Sequence, residues 1–412
     1  MLVCSDVYNI IANYLPLNDS IKLQHLCKNL FEFRMEHFVF KKFNMKFFEK
    51  HLESIVKLEI IDRYLRGLYI DDKIDDEILS KFKNLKYVIL PGNNKITDNG
   101  LVHLKSINTL NLYYNENITD DGLKYLKGIH TLVLCWNHNI TDIGLSHLEG
   151  IHTLKLILNK NITNNGLKYL KGIHTLDLHS NNKITDNGLV HLKGIHTLNL
   201  NYNKNITDNG LKYLKGINIL DLGCNQNITD DGLKHLKGIH TLILHNNHNI
   251  TNNGLTHLKG IHTLDLRYNY NITDSGLKHL KGIHTLKLCY GRITDDGLKY
   301  LKGIHTLHIG KESNITDNGL KHLKGIHTLY ISDNPKITDN GLKHLKGIHT
   351  LYISNNTKIT DNGLKHLEGI QILCLEKNPN ITQNGLSHLK NNSRFIFVPY
   401  WDYSISDHYE NE

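Results

Sequence analysis

The chain has 412 residues but only five prolines and two tryptophans, and its six cysteines lie far apart. No CxxC pair or metal-ligand spacing links the cysteines, so they favour reduced thiols over a disulfide framework. No apolar run approaches the roughly 18 residues that a bilayer span needs. The beginning of the chain has no basic stretch and includes Asp6, which disfavours a secretory signal. These absences predict a cytoplasmic protein, with the nucleus as an alternative, and no membrane segment.

Histidine is in excess, with 29 residues, and the excess comes from an internal repeat. The dipeptide Ile-Thr begins at fourteen positions from Ile96 to Ile381, and twelve of the thirteen intervals are 22 residues. The exception is the 21-residue step from Ile272 to Ile293. The unit reads LKGIHTLxLxxNxxITDxGLKH, and the array extends over residues 68–398, from a degenerate first unit to a final strand at RFIFV. A fixed period of this length is typical of a solenoid.

Each repeat is predicted to form a strand, a turn and a short helix. Leu132 and Leu134 alternate with the period of two expected of a strand with one buried face. Asn137 follows where the chain leaves the strand, and a buried Asn here can bond turn backbone groups and form a ladder along the array. Asp142 is predicted to be the N-cap of the helix, and Gly150 is predicted to end it. One unit cannot bury its leucines alone, whereas a stack of units buries a continuous core.

This unit resembles the leucine-rich repeat, whose pattern is L-x-x-L-x-L-x-x-N/C-x-L. The ITDxGL ending makes it similar to the cysteine-containing subclass of F-box proteins, with Asn at the Cys position and a shorter helix. The resemblance covers about four fifths of the chain. It implies an α/β fold, a leucine-rich-repeat solenoid that is curved and has a parallel β-sheet on its concave side, preceded by a small helical N-terminal segment.

The histidines and lysines form columns in the repeat. Ten histidines precede Thr-Leu, beginning with His130, and ten lie in the GLxHL segment, beginning with His103. A metal array would need a Cys or carboxylate column to close a site, so a framework role is favoured. The net charge of +8 could indicate nucleic-acid binding, but the lysines recur in GLK and LKG beside recurring Asp, which favours a solvated helical face. No metal, cofactor or catalytic set is predicted, so the chain is not expected to be an enzyme.

Residues 1–50 lie outside the repeat and resemble an F-box. The segments that carry the resemblance are Tyr14-Leu15-Pro16-Leu17-Asn18-Asp19 and Leu26-Cys27-Lys28. Val3-Cys4-Ser5-Asp6 stands where the family has Leu-Pro-x-Glu, and Leu30 stands where it has Trp. The resemblance implies a surface that binds a Skp-type adaptor, formed by Ile11, Leu15, Pro16, Leu17 and Leu26. A helical cap that shields the first repeat is the alternative.

Four segments are therefore predicted. Residues 1–50 are the F-box-like helical segment, 51–67 a helical linker or N-terminal cap, 68–398 the repeats, and 399–412 a C-terminal cap with an acidic tail. By resemblance, such a chain is the substrate-recognition subunit of an SCF-type ubiquitin ligase, assembled with a cullin through its adaptor. A plain protein-binding scaffold without a ubiquitin link is the alternative, and a nucleic-acid-binding scaffold is the third and least favoured.

The binding surface is predicted where the repeat varies. The residue between the two strand leucines and the residue after the second should face the concave side, with the next residue at the rim. Three adjacent repeats carry apolar or aromatic residues at these positions: Tyr113, Tyr114, Val133, Cys135, Trp136, Ile157 and Leu158. A smaller aromatic group recurs at Tyr330 and Tyr352. Such groups are typical of sites that bind protein substrates, although chance drift on an unselected surface would give a similar pattern.

Overall fold

The computed structural model describes residues 74–288, 292–310, 313–387 and 389, together with the strands at 37–40, 57–60 and 394–396. The chain forms two compact units, residues 1–203 and 204–412. In each unit, consecutive repeats pair their strands in parallel, and every repeat returns through a turn and a short helix. Within the described part of the chain, no helix is long and apolar enough to cross a membrane.

In the first unit, each strand pairs in parallel with the strand of the next repeat. Its strands are β1 (His37–Phe40), β2 (Lys57–Ile60), β3 (Tyr87–Ile89), β4 (Thr109–Asn111), β5 (Thr131–Val133), β6 (Thr153–Lys155), β7 (Thr175–Asp177) and β8 (Thr197–Asn199). Its α-helices are Asp76–Ser80, Asp98–Leu101, Asp120–Leu123, Asp142–Leu145, Asn164–Leu167 and Asp186–Leu189, and 3₁₀ turns lie at Val102–Leu104, Lys124–Leu126, Lys168–Leu170 and Val190–Leu192.

The second unit continues the pattern with longer strands toward its end. Its strands are β9 (Ile219–Asp221), β10 (Thr241–Ile243), β11 (Thr263–Asp265), β12 (Thr285–Leu288), β13 (Thr306–Ile309), β14 (Thr328–Ser332), β15 (Thr350–Ser354), β16 (Ile372–Glu376) and β17 (Arg394–Ile396). Its α-helices are Asp208–Leu211, Asp230–Leu233, Asp274–Leu277, Asp295–Leu298, Asp317–Leu320, Asp339–Leu342, Asp361–Leu364 and Gln383–Ser387. Its 3₁₀ turns are Lys212–Leu214, Lys234–Leu236, Gly254–Leu258, Lys278–Leu280, Lys299–Leu301, Lys321–Leu323, Lys343–Leu345 and Lys365–Leu367.

The strand at Lys57–Ile60 differs from the prediction of a helical linker over residues 51–67. It pairs in parallel with Tyr87–Ile89, and Leu58 is fully buried. Its residues alternate charged and apolar, Lys-Leu-Glu-Ile, which suits a strand with one buried face. It lies 30 residues before its partner in the chain, so it falls outside the 22-residue period. The sheet therefore begins before the array that the period defines.

The same positions are buried in successive repeats. Leu132 and Leu134 are fully buried, and so are Ile140 and Leu145 of the same repeat. The predicted strand, inward Ile and helical leucines are therefore confirmed. Gly150, predicted to end the helical segment, adopts a positive φ of +84°, a region that favours glycine.

In most of the described turns, a buried Asn ties a repeat to its neighbour. The side-chain amide of Asn137 donates to the carbonyls of Asn115 and Ile118 in the preceding repeat, at 2.8 Å each. Its Oδ1 accepts the N–H of Asn139 in its own turn at 2.9 Å. Asn137 is fully buried, so these bonds satisfy backbone groups that water does not reach. The predicted Asn ladder is confirmed.

The helix starts depart from the prediction, because Thr141, and not Asp142, is the N-cap. The Thr141 hydroxyl accepts the N–H of Ile143 at 3.2 Å, and Asp142 is the first helical residue. The Asp142 carboxylate instead accepts the N–H and the hydroxyl of Thr163 in the next repeat, at 2.8 and 2.5 Å. A carboxylate can accept both bonds at once, which strengthens the link between repeats.

Where Asn replaces this Asp, the link persists but the cap is lost. Asn164 accepts the N–H of Thr185 at 2.9 Å and donates to its hydroxyl at 2.8 Å. Thr185 then makes no side-chain cap bond to its own helix. The carboxylate thus serves two repeats, since it leaves the threonine hydroxyl able to accept a bond from its own helix.

The histidines that precede Thr-Leu stack on one another along the start of the strands. In the first unit, the rings of His130, His152, His174 and His196 have centroids 4.4–4.5 Å apart and planes within 14°. In the second unit, a stack at 4.4 Å spacing comprises His240, His262, His284, His305, His327 and His349. Each Nδ1 of the first stack lies 3.0–3.1 Å from the hydroxyl of the following Thr. The rings lie side by side as a framework column instead of converging on a point.

We expect Asn137→Ala to lower the free energy of unfolding by about 2 kcal/mol, because it leaves two buried carbonyls without their donor. Urea denaturation of the full chain measures this value. Asn165→Ala is the matched control, since Asn165 is exposed on a helix of the next repeat, and its effect should stay within about 0.5 kcal/mol. Equal losses in the two variants would contradict a ladder that stabilises the array.

The histidine stacks predict that acid weakens the fold. Loss of solvation in the stack, and then the charge of neighbouring imidazoles, lower the pKa of His152, His284 and His327. The unfolded chain therefore binds more protons below about pH 6.5, and stability falls as the pH drops through that value. We expect a lower melting temperature at pH 5.5 than at pH 7.5.

A variant with His152→Gln, His284→Gln and His327→Gln together should lose less melting temperature over the same pH change. His138→Gln is the control, because it removes one exposed imidazole from a turn outside the stacked column. A triple variant with the same pH dependence as the parent chain would contradict coupling through the stacks.

Candidate protein-interaction surface

The varied positions of the repeat lie on the face of the sheet opposite the leucine core. In the first unit, the residues between the strand leucines align as Asn111, Val133, Lys155 and Asp177, one per strand. Val133 and Asp177 are half-buried and Lys155 is exposed, whereas the flanking leucines are buried. Side chains of successive repeats therefore stand next to one another on this face, about 4.8 Å apart as in any sheet.

Three aromatic side chains make contact at one place on this face. The rings of Tyr113 and Tyr114 meet edge to face, with centroids 4.5 Å apart and planes at 85°. Tyr114 also stacks on Trp136 of the next repeat, at 5.2 Å and 26°. Tyr114 is 40% exposed, the same as Tyr87. We call Tyr113, Tyr114 and Trp136 the aromatic patch.

The other residues predicted for this surface adjoin the aromatic patch. Val133 lies on β5, in the same repeat as Trp136, and is half-buried. Ile157 and Leu158 are half-buried in the next repeat, where the carbonyl of Ile157 accepts the N–H of Trp136 at 2.8 Å. The structure thus places all the predicted residues of the first unit in three neighbouring repeats, and one of them, Cys135, is buried.

Cys135 does not belong to the surface, contrary to the prediction. Its side chain is 1% exposed, and burial raises the pKa of the thiol to about 12. Tyr113 and Ile157 hold the same position in the flanking repeats. Both are half-buried, whereas Cys135 is buried, so the position in the repeat does not fix the exposure of its side chain.

The backbone at the rim of the patch is strained. Tyr114, Trp136 and Leu158 have φ angles of +63°, +62° and +59°, in the left-handed region that Asn, Asp and Gly adopt most readily. A residue with a bulky side chain costs about 1 kcal/mol in this conformation. The conformation belongs to the turn of the repeat, because the same position also has a positive φ at Ser180, Tyr202, Cys224, Asn246, Tyr268, Asp333, Asn355 and Lys377.

A buried carboxylate adjoins the apolar residues. Asp177 lies two strands from Val133, and its Oδ1 accepts the N–H of His179 at 3.1 Å. Burial raises the pKa of Asp177, and the nearby Lys155 opposes this shift. The face therefore passes from aromatic to polar within two repeats, which gives a partner a direction in which to dock.

The second unit carries the other predicted group. Tyr330 and Tyr352 stack at 4.1 Å and 9°, and both are half-buried. His308 extends the stack, 3.8 Å from Tyr330. Lys287 precedes His308 in the same column. The prediction found the tyrosines but missed Lys287 and His308, although the alignment of the repeats puts all four at the position between the strand leucines.

A charged pair continues this column. Asp265 is 3% exposed and accepts bonds from Arg267, with Nε 3.0 Å from each carboxylate oxygen and Nη2 2.9 Å from Oδ2. The Lys287 Nζ lies 4.0 Å from the same Oδ2. We call Asp265, Arg267, Lys287, His308 and the two tyrosines the charged–aromatic column.

The residues predicted to bind an adaptor lie outside the part of the chain that the structure describes. They are Ile11, Leu15, Pro16, Leu17 and Leu26. The C-terminal cap predicted at 399–412 also lies outside it.

Comparisons with known proteins agree with the repeat geometry. A family model described as Leucine Rich repeat matches residues 103–127, 173–193, 195–215 and 217–237. No curated protein sequence matches the chain. An internalin from Listeria monocytogenes is 23% identical with a TM-score of 0.51, over 79% of this chain and 89% of that one.

Two further solved structures share the fold at lower identity. The TLR13–ssRNA13 complex matches at 19% identity with a TM-score of 0.59, over 86% of this chain and 57% of the receptor chain. The yeast Rad7 and Elc1 complex matches at 16% identity with a TM-score of 0.52, over 68% of this chain and 83% of that one. At these identities the likeness concerns the fold. Together, the repeated strand, buried Asn and short helix and these similarities show that the chain has the fold of a leucine-rich-repeat solenoid.

Proposed function

We propose that the protein is an interaction scaffold that binds a partner protein on the exposed face of its sheet. The aromatic patch carries this proposal. Trp and Tyr are the side chains that most often dominate protein interfaces, because each presents a large, rigid area with a polar atom at its edge. The patch adjoins Val133, Ile157 and Leu158, which supply a surrounding apolar rim.

The finer proposal is that the scaffold recognises substrates for an SCF-type ubiquitin ligase. The F-box-like residues 1–50 support it, because a segment of this kind followed by leucine-rich repeats resembles the F-box–LRR layout. Rad7, which shares the fold, forms a complex with Elc1 in yeast, so a chain of this fold assembles with another protein there. On this proposal the F-box-like segment binds a Skp-type adaptor and the sheet face binds the substrate. The chain then acts by raising the substrate concentration near the ligase.

Trp136→Ala should weaken partner binding by about 2 kcal/mol or more, since it removes the central anchor of the patch. Proteins captured by the parent chain are identified by mass spectrometry, and the affinity of the purified partner is then measured by calorimetry. Tyr114→Ala should have a similar effect. Melting temperatures of both variants should stay close to that of the parent chain.

Tyr87→Ala and Tyr270→Ala are the matched controls, because these tyrosines are 40% and 44% exposed but lie outside the aromatic patch. Both controls should bind the partner as the parent does. If binding survives both Trp136→Ala and Tyr114→Ala, the patch is not the site.

Leu15→Asp tests the ligase proposal separately. A charge at an apolar adaptor-binding position should abolish co-purification with a Skp-type adaptor, because the carboxylate would be buried without a partner. The melting temperature of the repeats should not change. If the variant instead unfolds the first repeats, the segment is a cap and the ligase proposal fails, while partner binding on the sheet face remains open to the test above.

A further inference from the structure

The charged–aromatic column differs from the aromatic patch in its charge. Asp265, Lys287, His308, Tyr330 and Tyr352 occupy one column of five neighbouring strands, β11 to β15, in direct register. The uncharged Ile243 separates the column from Asp221 on β9. The column is therefore a distinct surface of the second unit, with charge at one end and aromatic rings at the other.

The charged end has an excess of one positive charge. Arg267 and Lys287 supply two cations, and the single carboxylate of Asp265 offsets one of them. Arg267 makes the close bonds to that carboxylate, whereas Lys287 lies 4.0 Å away with a side chain that is 36% exposed. Lys287 is thus the cation best placed to take a second anion, since charge-assisted bonds to a carboxylate need only an accessible ammonium group.

His308 adds a ring to the column but no charge. Burial, followed by the charge of Lys287, lowers the pKa of His308 to about 3, so the imidazole is neutral at any ordinary pH. Its ring lies 3.8 Å from Tyr330 with planes at 16°, and Tyr330 lies 4.1 Å from Tyr352. The three rings therefore cover the faces that lie between them. Ring edges carry partial positive charge, so they too favour an electronegative partner.

Because the faces of these aromatic rings cover one another, an acidic peptide suits the column better than a single-stranded nucleic acid does. Single-stranded nucleic acids bind by stacking bases on exposed aromatic faces. Here the faces of neighbouring rings are in contact, which leaves no space for a base between them. An acidic peptide does not need an open ring face, because its carboxylate can bind Lys287 while its apolar side chains pack against the rings.

We propose that the charged–aromatic column binds an acidic segment of a protein, with a carboxylate on Lys287 and an adjoining apolar side chain against Tyr330 and Tyr352. This inference shares with the proposed function the idea that the sheet face binds proteins. It does not depend on the aromatic patch, which belongs to the other unit. Trp136→Ala should therefore leave binding to this column unchanged, and failure of one proposal leaves the other standing.

The test measures the fluorescence anisotropy of a short fluorescein-labelled peptide that repeats Glu-Glu-Leu, titrated with the full chain. The parent chain should bind it more tightly than the Gln-Gln-Leu counterpart, and added salt should weaken the binding. Lys287→Gln should weaken it by about fivefold or more, whereas Lys287→Arg, which keeps the charge, should retain most of it. Urea denaturation of both variants checks that the fold is intact.

Lys155→Gln is the matched control, because Lys155 holds the same position between the strand leucines in the first unit. It should leave the affinity unchanged. Equal binding of the two peptides, or equal losses in Lys155→Gln and Lys287→Gln, would overturn the proposal. A labelled oligothymidylate that binds more tightly than the acidic peptide and depends on Lys287 would show a nucleic-acid site instead, and would also overturn it.

Discussion

The whole array depends on hydrogen bonds that no repeat can make alone. Turns bury backbone carbonyls that an Asn side chain from the following repeat satisfies, as Asn137 does for Asn115 and Ile118. Helix starts receive a carboxylate from the preceding repeat, as Thr163 does from Asp142, or an amide where Asn replaces the Asp, as Thr185 does from Asn164. Since unmade buried bonds cost as much as several favourable contacts provide, a repeat is stable only between neighbours.

This dependence also explains the glycine in the helix. A Cβ at Gly144 would meet the Asp120 carboxylate of the preceding repeat. The same clash recurs along the array, for example at Gly232 with Asp208. The Asp of one repeat therefore depends on the Gly of the next repeat. The carboxylate reaches the threonine of that next repeat only because the glycine in its helix has no side chain.

Because these bonds hold the repeats together, residues on the exposed face of the sheet are free to vary. Leucines, isoleucines and asparagines fix the fold, so the positions between and after the strand leucines can change without loss of the core. Two kinds of surface use this freedom. The first unit presents an aromatic patch at the rim, and the second presents cations followed by stacked rings.

The sequence was sufficient to predict what repeats within one unit. Strand leucines, the inward Ile140, the Asn ladder and the end of the helix at Gly150 follow from residue type and local spacing. The N-cap was wrong because the partner of Asp142 lies 21 residues ahead, in the next repeat. Cys135 was misplaced because spacing along the chain does not give the exposure of a side chain, which is buried at Cys135 and half-buried at Tyr113 and Ile157. The strand at Lys57–Ile60 was not predicted because it falls outside the 22-residue period of the array.

The sequence predicted the two tyrosines of the charged–aromatic column but missed Lys287 and His308, also because the contacts are made between repeats. Lys287 and His308 each occupy a variable position of their own repeat, and they form a group only beside Asp265 and Tyr330 in the sheet. These residues are about one repeat apart along the chain, whereas they are neighbours in the sheet.

The Asp side chain bonds to the next repeat, and the Asn side chain bonds to the preceding one. Together these bonds allow the number of repeats to change. Both bonds join equivalent positions one period apart, so removing or duplicating a 22-residue stretch returns the same partners wherever the cut begins. The joint need not coincide with the edge of a strand or helix. Exchange between copies of the underlying sequence would thus lengthen or shorten the array of strands without requiring any compensating substitution in the core.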